Sequence, residues 1–247
     1  MKISIITVCY NSEDTIEYSI NSVLSQDCGN IEYIIIDGNS SDNTKSIIEK
    51  YRDKISHFIS EKDEGIYDAM NKGIAMATGD VIGVLNSDDF YTNKEVLSKV
   101  INLFSTKNPD AVYGDLEYVS KENVKKVTRH WKAGEYKEGI FLEGWMPPHP
   151  TFFVKKNIYQ LYGSFNTKLK SAADYELMLR FIHKEKIKLA YLPEVLIKMR
   201  AGGKSNVSLA NRIKANKEDR LAWKLNGLKP GKLTLLLKPL SKLKQFF

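Results

Sequence analysis

The sequence predicts an α/β fold with a mostly parallel central sheet flanked by helices. In the first half of the chain, apolar β-branched runs alternate with segments whose apolar side chains recur at helical spacing. This is the pattern of strand–helix–strand units, in which the strands lie parallel. The 247 residues, of which 43% are hydrophobic and 27% charged, suffice for one such domain with a core and a short appendage.

Each element of the first half follows from its own residues. Strands are predicted at apolar runs, and helices where Ser, Asn or Asp precedes apolar residues at spacings of three and four. The predicted strands are Ile3–Cys9, Ile31–Ile36, Phe58–Ile59, Val81–Leu85 and a fifth that begins at Ala111–Tyr113. The predicted helices follow Asn11–Ser12, run from the N-cap Asp42 to about Tyr51, and cover Tyr67–Ala77 and Glu95–Phe104.

The second half is less regular. Its predicted elements are exposed strands within Val119–Trp131, a strand at Thr151–Val154, a helix at Tyr175–Ile182, a strand at Ile187–Leu192 and a helix at Ser208–Leu225. We therefore expect a main domain over residues 1–205 and a basic helical extension over residues 206–247.

The net charge of +7 is unevenly distributed. Residues 198–247 hold thirteen Lys and Arg but two acidic residues, whereas residues 1–197 hold 24 and 28. This division favours a local anionic partner, such as a phosphate or a membrane surface, over a nucleic acid. No apolar run approaches 18 residues, no signal peptide is visible, and Cys9 and Cys28 form no disulfide framework, so we expect a cytoplasmic protein.

Polar residues gather where the predicted strands end. Asn11 follows the first strand, Asp37 the second, Asp63 the third, and Asp88 and Asp89 the fourth. Ligands of parallel α/β sheets bind beyond the carboxyl ends of the strands. Two adjacent carboxylates suit Mg²⁺ or Mn²⁺, which often shares its shell with substrate phosphates. The same pair could instead cap the next helix or lie in a solvated turn.

Other polar residues have both a chemical and a structural interpretation. Asp37 could bind a ribose or base edge, or close a turn; Asp174 could be a general base or a helix N-cap. His149, between two prolines, could bind a phosphate or shape a turn. The loop Arg200–Ser205 could close over a diphosphate or be an ordinary loop, and the segment Ser60–Gly73 could be a solvated helix with an apolar core face.

Six motifs follow one another along the chain. They are S-I-I-T-V-C-Y-N at Ser4–Asn11, I-I-I-D-G-N-S-S-D-N-T at Ile34–Thr44, D-E-G-I-Y-D-A-M-N-K-G-I-A-M-A-T-G-D at Asp63–Asp80, L-N-S-D-D at Leu85–Asp89, H-P-T-F-F at His149–Phe153 and A-A-D-Y-E-L at Ala172–Leu177. In this order and spacing they resemble family 2 glycosyltransferases of the GT-A fold. The resemblance covers about residues 1–205.

The resemblance implies a role for each candidate residue. It makes Asp174 the base that deprotonates the acceptor hydroxyl, and Asp88, with Asp89 second, the ligand of Mn²⁺ or Mg²⁺. The implied nucleotide-sugar contacts are Thr7, Asn11, Asp37, Asp63, Lys72, Asn86, Ser87 and Arg200, with His149 as a further candidate. One position departs from the family pattern. Asn86 stands where the D-S-D-D motif begins with Asp, and its carbonyl can accept a ribose hydroxyl but carries no charge.

The resemblance also implies a reaction. The Q-x-x-R-W motif of processive synthases is absent from the sequence. The nearest similarity is to short bacterial enzymes of O-antigen and exopolysaccharide assembly, which move glucose or galactose from a UDP-sugar to HexNAc-diphospho-undecaprenol. It implies an inverting transfer of one sugar, at the inner face of the cytoplasmic membrane, whose anionic surface the basic extension would contact, and no nucleic-acid partner.

Two other functions remain open at this point. A degenerate transferase that only binds nucleotide sugars is favoured by Asn86 alone. A sugar nucleotidyltransferase shares the α/β layout, but its Gly-rich N-terminal loop is missing here.

Overall fold

A computed structural model describes residues 1–202, 209–231 and 233–241. The strands are β1 (Ile3–Cys9), β2 (Ile31–Asp37), β3 (His57–Ser60), β4 (Val81–Asn86), β5 (Asp89–Tyr91), β6 (Ala111–Val119), β7 (Val127–Trp131), β8 (Phe153–Lys155) and β9 (Leu189–Arg200). The helices are α1 (Ile16–Leu24), α2 (Thr44–Glu49), α3 (Ile66–Met76), α4 (Val96–Lys107), α5 (Lys156–Tyr162), α6 (Ala173–Met178), α7 (Leu209–Leu225) and α8 (Thr234–Ser241).

One sheet joins all these strands, in the order β3-β2-β1-β4-β8-β6-β9-β5, with β7 paired to β6. The half formed by β3, β2, β1 and β4 is parallel throughout. In the other half β8 runs antiparallel to β4 and β6, whereas β6 and β9 are parallel. This mixed α/β architecture confirms the predicted fold class, and the predicted parallel sheet corresponds to its first half.

Helices cover both faces of the sheet. One hydrophobic core lies between the sheet and α1, α2 and α4, and includes Ile20, Ile48 and Phe104. The other lies between the opposite face and α3, α5, α6 and α7, and includes Met70 and Trp223. The alternation along β1 produces this division, because Ile3, Ile5 and Cys9 face the first core while Ile6 and Val8 face the second.

The C-terminal helices pack on the second layer. Trp223 of α7 is 1% exposed, and its indole Nε1 donates to the Tyr175 hydroxyl of α6 at 2.9 Å. Thr234 of α8 donates to the carbonyl of Leu142 at 2.6 Å. The described residues of the predicted extension form α7 and α8 with a non-helical connection between them, and Ala222, Trp223 and Leu235 belong to the same core as α3, α5 and α6. In the described part of the chain, no helix has the length and apolar character needed to cross a membrane.

Candidate active site

The strand register aligns the polar strand ends. Cys9 of β1 lies beside Asp37 of β2, Asp37 beside Ser60 of β3, and Val8 of β1 beside Asn86 of β4. The chain proceeds from β1 outward to β3 and then returns to place β4 on the other side of β1. Such a reversal leaves a crevice between the loops that follow the two neighbouring strands, and ligands of open α/β sheets bind there.

Asp37 is fully buried at the end of β2. Its carboxylate accepts hydrogen bonds from the Ser40 backbone N–H at 3.0 Å, from the Ser40 hydroxyl, and from the Ser60 hydroxyl at 2.6 Å. Gly38 follows without a side chain, and a Cβ there would lie 2.5 Å from Oδ2 of Asp63 and 3.4 Å from the Tyr10 ring. The absence of a side chain at Gly38 therefore lets the Asp63 carboxylate lie directly beside the end of β2.

Thr7 and Asn11, the two candidates from β1 and its end, differ in position. Thr7 is buried, and its hydroxyl oxygen accepts from the Tyr33 hydroxyl at 3.1 Å within the core. Asn11 is exposed and has a left-handed backbone with φ of 48°. Its Oδ1 accepts from the Ser41 N–H at 2.9 Å, which joins the ends of β1 and β2. Asn11 thus borders the crevice, whereas the Thr7 side chain lies beneath it.

Lys72 forms ion pairs within its own part of the chain. Its ammonium lies 2.8 Å from Glu61 and 3.5 Å from Asp68, and it donates to the Lys62 carbonyl at 3.2 Å. The hydrogen bond to Glu61 raises the pKa of Lys72, so the side chain remains cationic. These contacts fix the loop between β3 and α3, which also carries Asp63.

The turn between β4 and β5 holds both carboxylates of the predicted metal site. Asp89 has no exposed surface, and its Oδ2 accepts from Nδ2 of Asn86 at 3.1 Å. Burial and the neighbouring Asp88 raise the pKa of Asp89 well above its usual range, and burial also raises the pKa of Asp88. Ser87 shares a hydrogen bond of 2.8 Å with Ser12, which ties this turn to the end of β1.

Arg200 holds the turn from the end of β9. It is 8% exposed, and its Nη1 donates to the Asp88 carbonyl at 2.5 Å. Its guanidinium lies over the rings of Tyr18 and Phe90, at 5.0 and 5.1 Å from their centres. Arg200 thus reaches the turn through the backbone of Asp88, and residues 203–205 of the predicted diphosphate loop lie outside the described residues.

The oxygen atoms of this turn fit a divalent cation. Within the described part of the chain, Oδ1 of Asn86 and Oδ1 of Asp89 are buried without a hydrogen-bond partner. Buried polar atoms are nearly always paired, so such atoms suit a ligand that would satisfy them. The described residues contain no cluster of three His, Cys, Asp or Glu side chains able to hold a metal. Mg²⁺ needs only one or two carboxylates when phosphates complete its shell.

Asp174 lies in the first turn of α6 and does not cap it. The N-cap position is Ala172, and the Oδ1 of Asp174 instead accepts from the Tyr67 hydroxyl of α3 at 3.1 Å. His149 lies nearby: burial lowers its pKa, and the charge of Asp174 opposes that shift. The rings of Tyr67 and His149 both pack on Phe165, at 5.5 and 5.6 Å between ring centres.

Tyr118 of β6 connects the two groups of carboxylates. Burial raises the pKa of its hydroxyl, the cation of Arg129 opposes the shift, and the charges of Asp89 and Asp174 add to it. Asp89 and Asp174 therefore act electrostatically on the same hydroxyl, although Asp89 begins β5 and Asp174 lies in α6. The predicted metal turn and the predicted base thus lie within electrostatic reach of one side chain.

Sequence reasoning missed Tyr67 and Tyr118 as site residues. Under the structural interpretation of the segment Ser60–Gly73, Tyr67 belongs to the apolar core face, whereas its hydrogen bond to Asp174 joins residues 107 positions apart. No local spacing indicates such a contact. For Tyr67 a usable pattern existed, since it lies inside the acid-rich motif at Asp63–Asp80 that supported the resemblance.

The fold resembles solved glycosyltransferase structures. S. aureus TarS 1–349 in complex with UDP-GlcNAc superposes with a TM-score of 0.72 and 21% identity, over 92% of this chain and 65% of that one. The mannosyltransferase PcManGT from Pyrobaculum calidifontis, in complex with GDP-Man and Mn²⁺, gives a TM-score of 0.67 and 16% identity, over 96% and 68%. At these identities the likeness shows the fold, which is the predicted GT-A α/β fold.

Sequence comparisons identify relatives as well. An uncharacterized glycosyltransferase of Mycobacterium tuberculosis (strain H37Rv) is 30% identical over 180 residues, covering 72% of this chain and 68% of the relative. A PGL/p-HBAD biosynthesis glycosyltransferase of Mycobacterium bovis (strain BCG) is 26% identical over 208 residues, covering 82% and 78%. The family model "Glycosyl transferase family 2" matches residues 4–163. The chain therefore belongs to glycosyl transferase family 2 and is a glycosyltransferase.

Proposed function

We propose that this enzyme transfers one glucose or galactose from a UDP-sugar, with inversion, to a HexNAc on undecaprenyl diphosphate in O-antigen or exopolysaccharide assembly. The observation that carries the proposal is that Asp89 and Asp174 both act electrostatically on the Tyr118 hydroxyl, so that both carboxylates lie within reach of one side chain. Displacement at a sugar carbon needs a group that stabilises the charge of the leaving diphosphate on one side and a base for the attacking hydroxyl on the other. These two carboxylate groups provide the two sides.

The donor would lie along the carboxyl ends of β1, β2 and β4. Asp37 at the end of β2 and Asp63, whose carboxylate lies beside Gly38, are proposed to receive the base and ribose, together with Asn11 at the crevice rim. The free Oδ1 of Asn86 can accept a ribose hydroxyl. Support comes from the complexes that similar folds form, since TarS binds UDP-GlcNAc and PcManGT binds GDP-Man with Mn²⁺.

The diphosphate would meet the turn between β4 and β5. Asp88, with Asp89 second, is proposed to hold Mn²⁺ or Mg²⁺, which offsets the negative charge that develops on the departing UDP. The carboxylates of this turn have raised pKa values because they are buried and adjacent, so a cation would relieve their mutual repulsion. Arg200 keeps the turn in place through the Asp88 carbonyl.

Asp174 is proposed to take the proton from the acceptor hydroxyl. The hydrogen bond from Tyr67 orients its carboxylate, and the second oxygen is then directed to the acceptor. Burial lowers the pKa of His149, so the neutral imidazole is favoured and places no positive charge beside the base. The neutral ring can hydrogen-bond the acceptor or the diphosphate. One carboxylate suffices because an inverting transfer forms no covalent intermediate.

The acceptor lipid implies an anionic surface next to the enzyme. The exposed face of α7 suits it, because basic and apolar side chains alternate there at helical spacing: Lys217, Arg220, Leu221, Lys224 and Leu225. Leu221 and Leu225 are 40% and 42% exposed. Basic amphipathic faces bind anionic leaflets through charge and shallow apolar insertion.

The test combines transfer and binding. The protein is incubated with UDP- and GDP-sugars, Mn²⁺ and a synthetic GlcNAc- or GalNAc-diphospho-lipid, and products are identified by mass spectrometry. We expect one hexose to be added, and Asp174→Asn to reduce turnover by about 10²–10⁴-fold, the usual contribution of a general base, while UDP affinity persists. Asp53→Asn, an exposed carboxylate on the other side of the sheet, serves as the matched control.

Other results would contradict the proposal. Unchanged turnover in Asp174→Asn would show that Asp174 is not the base. UDP binding without transfer or donor hydrolysis by the wild type would favour the degenerate binding protein. Release of pyrophosphate from UTP and a sugar phosphate would favour the nucleotidyltransferase.

A further inference from the structure

The C-terminal helix α7 contacts the chain segment that leads into α6. We propose that Glu218 of α7 is a positioning residue for Asp174, an inference that rests on the proposed function. One oxygen of Glu218, Oε2, accepts from the backbone N–H groups of Lys170, Ser171 and Ala172 at 3.1, 2.7 and 3.1 Å. It also accepts from the Ser171 hydroxyl at 2.9 Å.

This contact anchors the segment that leads into α6. The N-cap residue of α6 is Ala172, which has no side-chain hydrogen bond to offer. The three N–H groups belong to this residue and to the two before it, and backbone N–H groups outside a helix or sheet also need acceptors. Glu218 supplies that acceptor from 46 to 48 positions away in sequence.

Glu218 is itself held firmly. In α7, buried Trp223 donates to Tyr175, and Asn226, which directly follows the helix, donates to Oε1 of Glu176 at 3.1 Å. These two contacts dock α7 on α6 and fix Glu218 beside the segment 170–172. Asp219, next to Glu218, pairs instead with Lys238 at 2.7 Å and joins α7 to α8.

The consequence for catalysis follows from the short distance along the chain. Asp174 comes two residues after Ala172, and its carboxylate must remain at the Tyr67 hydroxyl. Without Glu218, three N–H groups seek other acceptors and the entry to α6 moves. A misplacement of a catalytic group by 1 Å can cost on the order of 10²-fold in rate.

The experiment separates positioning from folding. For each variant, kcat is divided by the number of UDP-binding sites measured by calorimetry, so that unfolded protein does not count. We expect Glu218→Ala to lower kcat per site by about 10- to 100-fold with unchanged UDP affinity. Glu218→Gln should recover part of the loss, because its amide oxygen can still accept from the N–H groups.

A neighbouring variant serves as control. Asp219→Asn breaks the ion pair to Lys238 but leaves the segment 170–172 untouched, so it should lower Tm and leave kcat per site unchanged. In an Asp174→Asn background, Glu218→Ala should cause no further loss, since two residues that act through one group are not additive.

Two results would overturn the inference: full kcat per site in Glu218→Ala, so that a loss of UDP sites accounts for any decrease in total activity, or additive losses in the double variant. If Glu218→Ala does not fold, Glu218→Gln is compared with the wild type in the same assay, and unchanged kcat per site there overturns it. Failure of the proposed function is distinguishable, because then the wild type itself transfers no sugar.

Discussion

Asn86 is the residue that departs most from the family pattern, and its contacts explain how the site tolerates it. Its Nδ2 donates to Asp89, so Asn86 stabilises a buried carboxylate that a third Asp would repel. Its Oδ1 remains free among the described residues and points to a ligand role. In the proposed metal site, the negative charge that faces the cation would then come from Asp88 and Asp89.

The role of Asp88 can be measured directly. We expect Mn²⁺ to strengthen UDP binding, and Asp88→Asn to remove about tenfold or more of that gain, because a metal's charge stabilisation is worth several kcal/mol. Calorimetric titration of UDP with Mn²⁺ or with EDTA measures the difference, and Asp53→Asn should behave as the wild type. Equal UDP affinity with and without Mn²⁺ would refute the metal site.

At the scale of single residues, strand ends were predictable and long-range contacts were not. Asp37 and Asp88 could be selected because they lie at or just beyond the ends of buried strands, and the register aligns Asp37 of β2 and Asn86 of β4 with the end of β1. The bond between Tyr67 and Asp174 depends on how α3 and α6 pack, which no spacing encodes. Glu218 was missed for the same reason, since its partners lie 46 to 48 residues away.

Two glycines delimit the 3₁₀ turn Ile140–Glu143, on which α8 rests. Gly139 and Gly144 both have left-handed backbones, with φ of 83° and 82°. A Cβ on Gly139 would meet nothing within 4 Å, whereas a Cβ on Gly144 would collide with the backbone of Lys238 in α8. The two positions therefore carry the same conformational strain but differ in what lies above them.

These glycines form a matched pair for a stability test. Gly139→Ala should lower the free energy of unfolding by about 1–2 kcal/mol, the cost of a left-handed L-residue. Gly144→Ala should cost more and displace α8, because Lys238 cannot move without losing its pair with Asp219. Chemical denaturation and limited proteolysis of the C-terminal segment measure both effects. Equal losses in the two variants would contradict the tight contact with α8.

A hydrogen-bond network around Glu32 joins β1, β2 and the loop before β4. Glu32 of β2 accepts from Lys2 at 2.8 Å, from the Ser4 hydroxyl, and from the Thr78 N–H at 2.7 Å. Burial opposes its ionisation, but these hydrogen bonds outweigh burial and lower the pKa of Glu32 to about 2. The network lies at the amino end of the parallel strands, opposite the active site.

The network predicts how stability depends on pH. The folded-state pKa of Glu32 is below its ordinary value of 4.5, so the stabilisation is complete above about pH 5 and is lost as the pH falls toward 2. The shift corresponds to roughly 3 kcal/mol. Glu32→Gln should be less stable at pH 7 and should lose less stability on acidification than the wild type. If the free energy of unfolding, measured by urea denaturation, changed with pH in the same way for Glu32→Gln and the wild type, this role of Glu32 would be ruled out.

Element prediction succeeded where apolar runs are unbroken and failed where a strand is interrupted. β1 has the predicted bounds, Ile3–Cys9. β9 was expected to end at Leu192, before Pro193, but it continues to Arg200. Its register against β6 passes from Leu192 to Val195, so Pro193 and its neighbour form a bulge, the setting in which a strand accepts proline.

At the scale of the whole molecule, the exposed face of α7 is basic because the two acidic residues of the extension bind other parts of the chain. Residues 206–247 contain two acidic residues, Glu218 and Asp219. Glu218 accepts from the backbone that leads into α6, and Asp219 pairs with Lys238. Lys217, Arg220 and Lys224 are left on the exposed face of α7.

This distribution of charge predicts that the exposed face of α7 binds anionic membranes. We expect the full-length protein to co-sediment with vesicles rich in phosphatidylglycerol at moderate salt, and a triple change of Lys217, Arg220 and Lys224 to Gln to weaken binding. Each basic residue near such a surface contributes about 1 kcal/mol. Changing Lys50, Lys54 and Lys94 to Gln removes the same charge from the other layer of helices and should have little effect. Indifference of the wild type to anionic vesicles would end the proposal.

The strand order also has a consequence for the timing of folding during synthesis. β1 to β4 can pair once residue 86 has emerged, because they are neighbours in one parallel block. β5, with Asp89, is hydrogen-bonded to β9, and the Asp88 turn is held by Arg200. A nascent chain that stops short of residue 200 therefore has the carboxyl ends of β1, β2 and β4 in place, but it lacks the full pairing of β5 with β9 and the Arg200 side chain that holds the Asp88 turn.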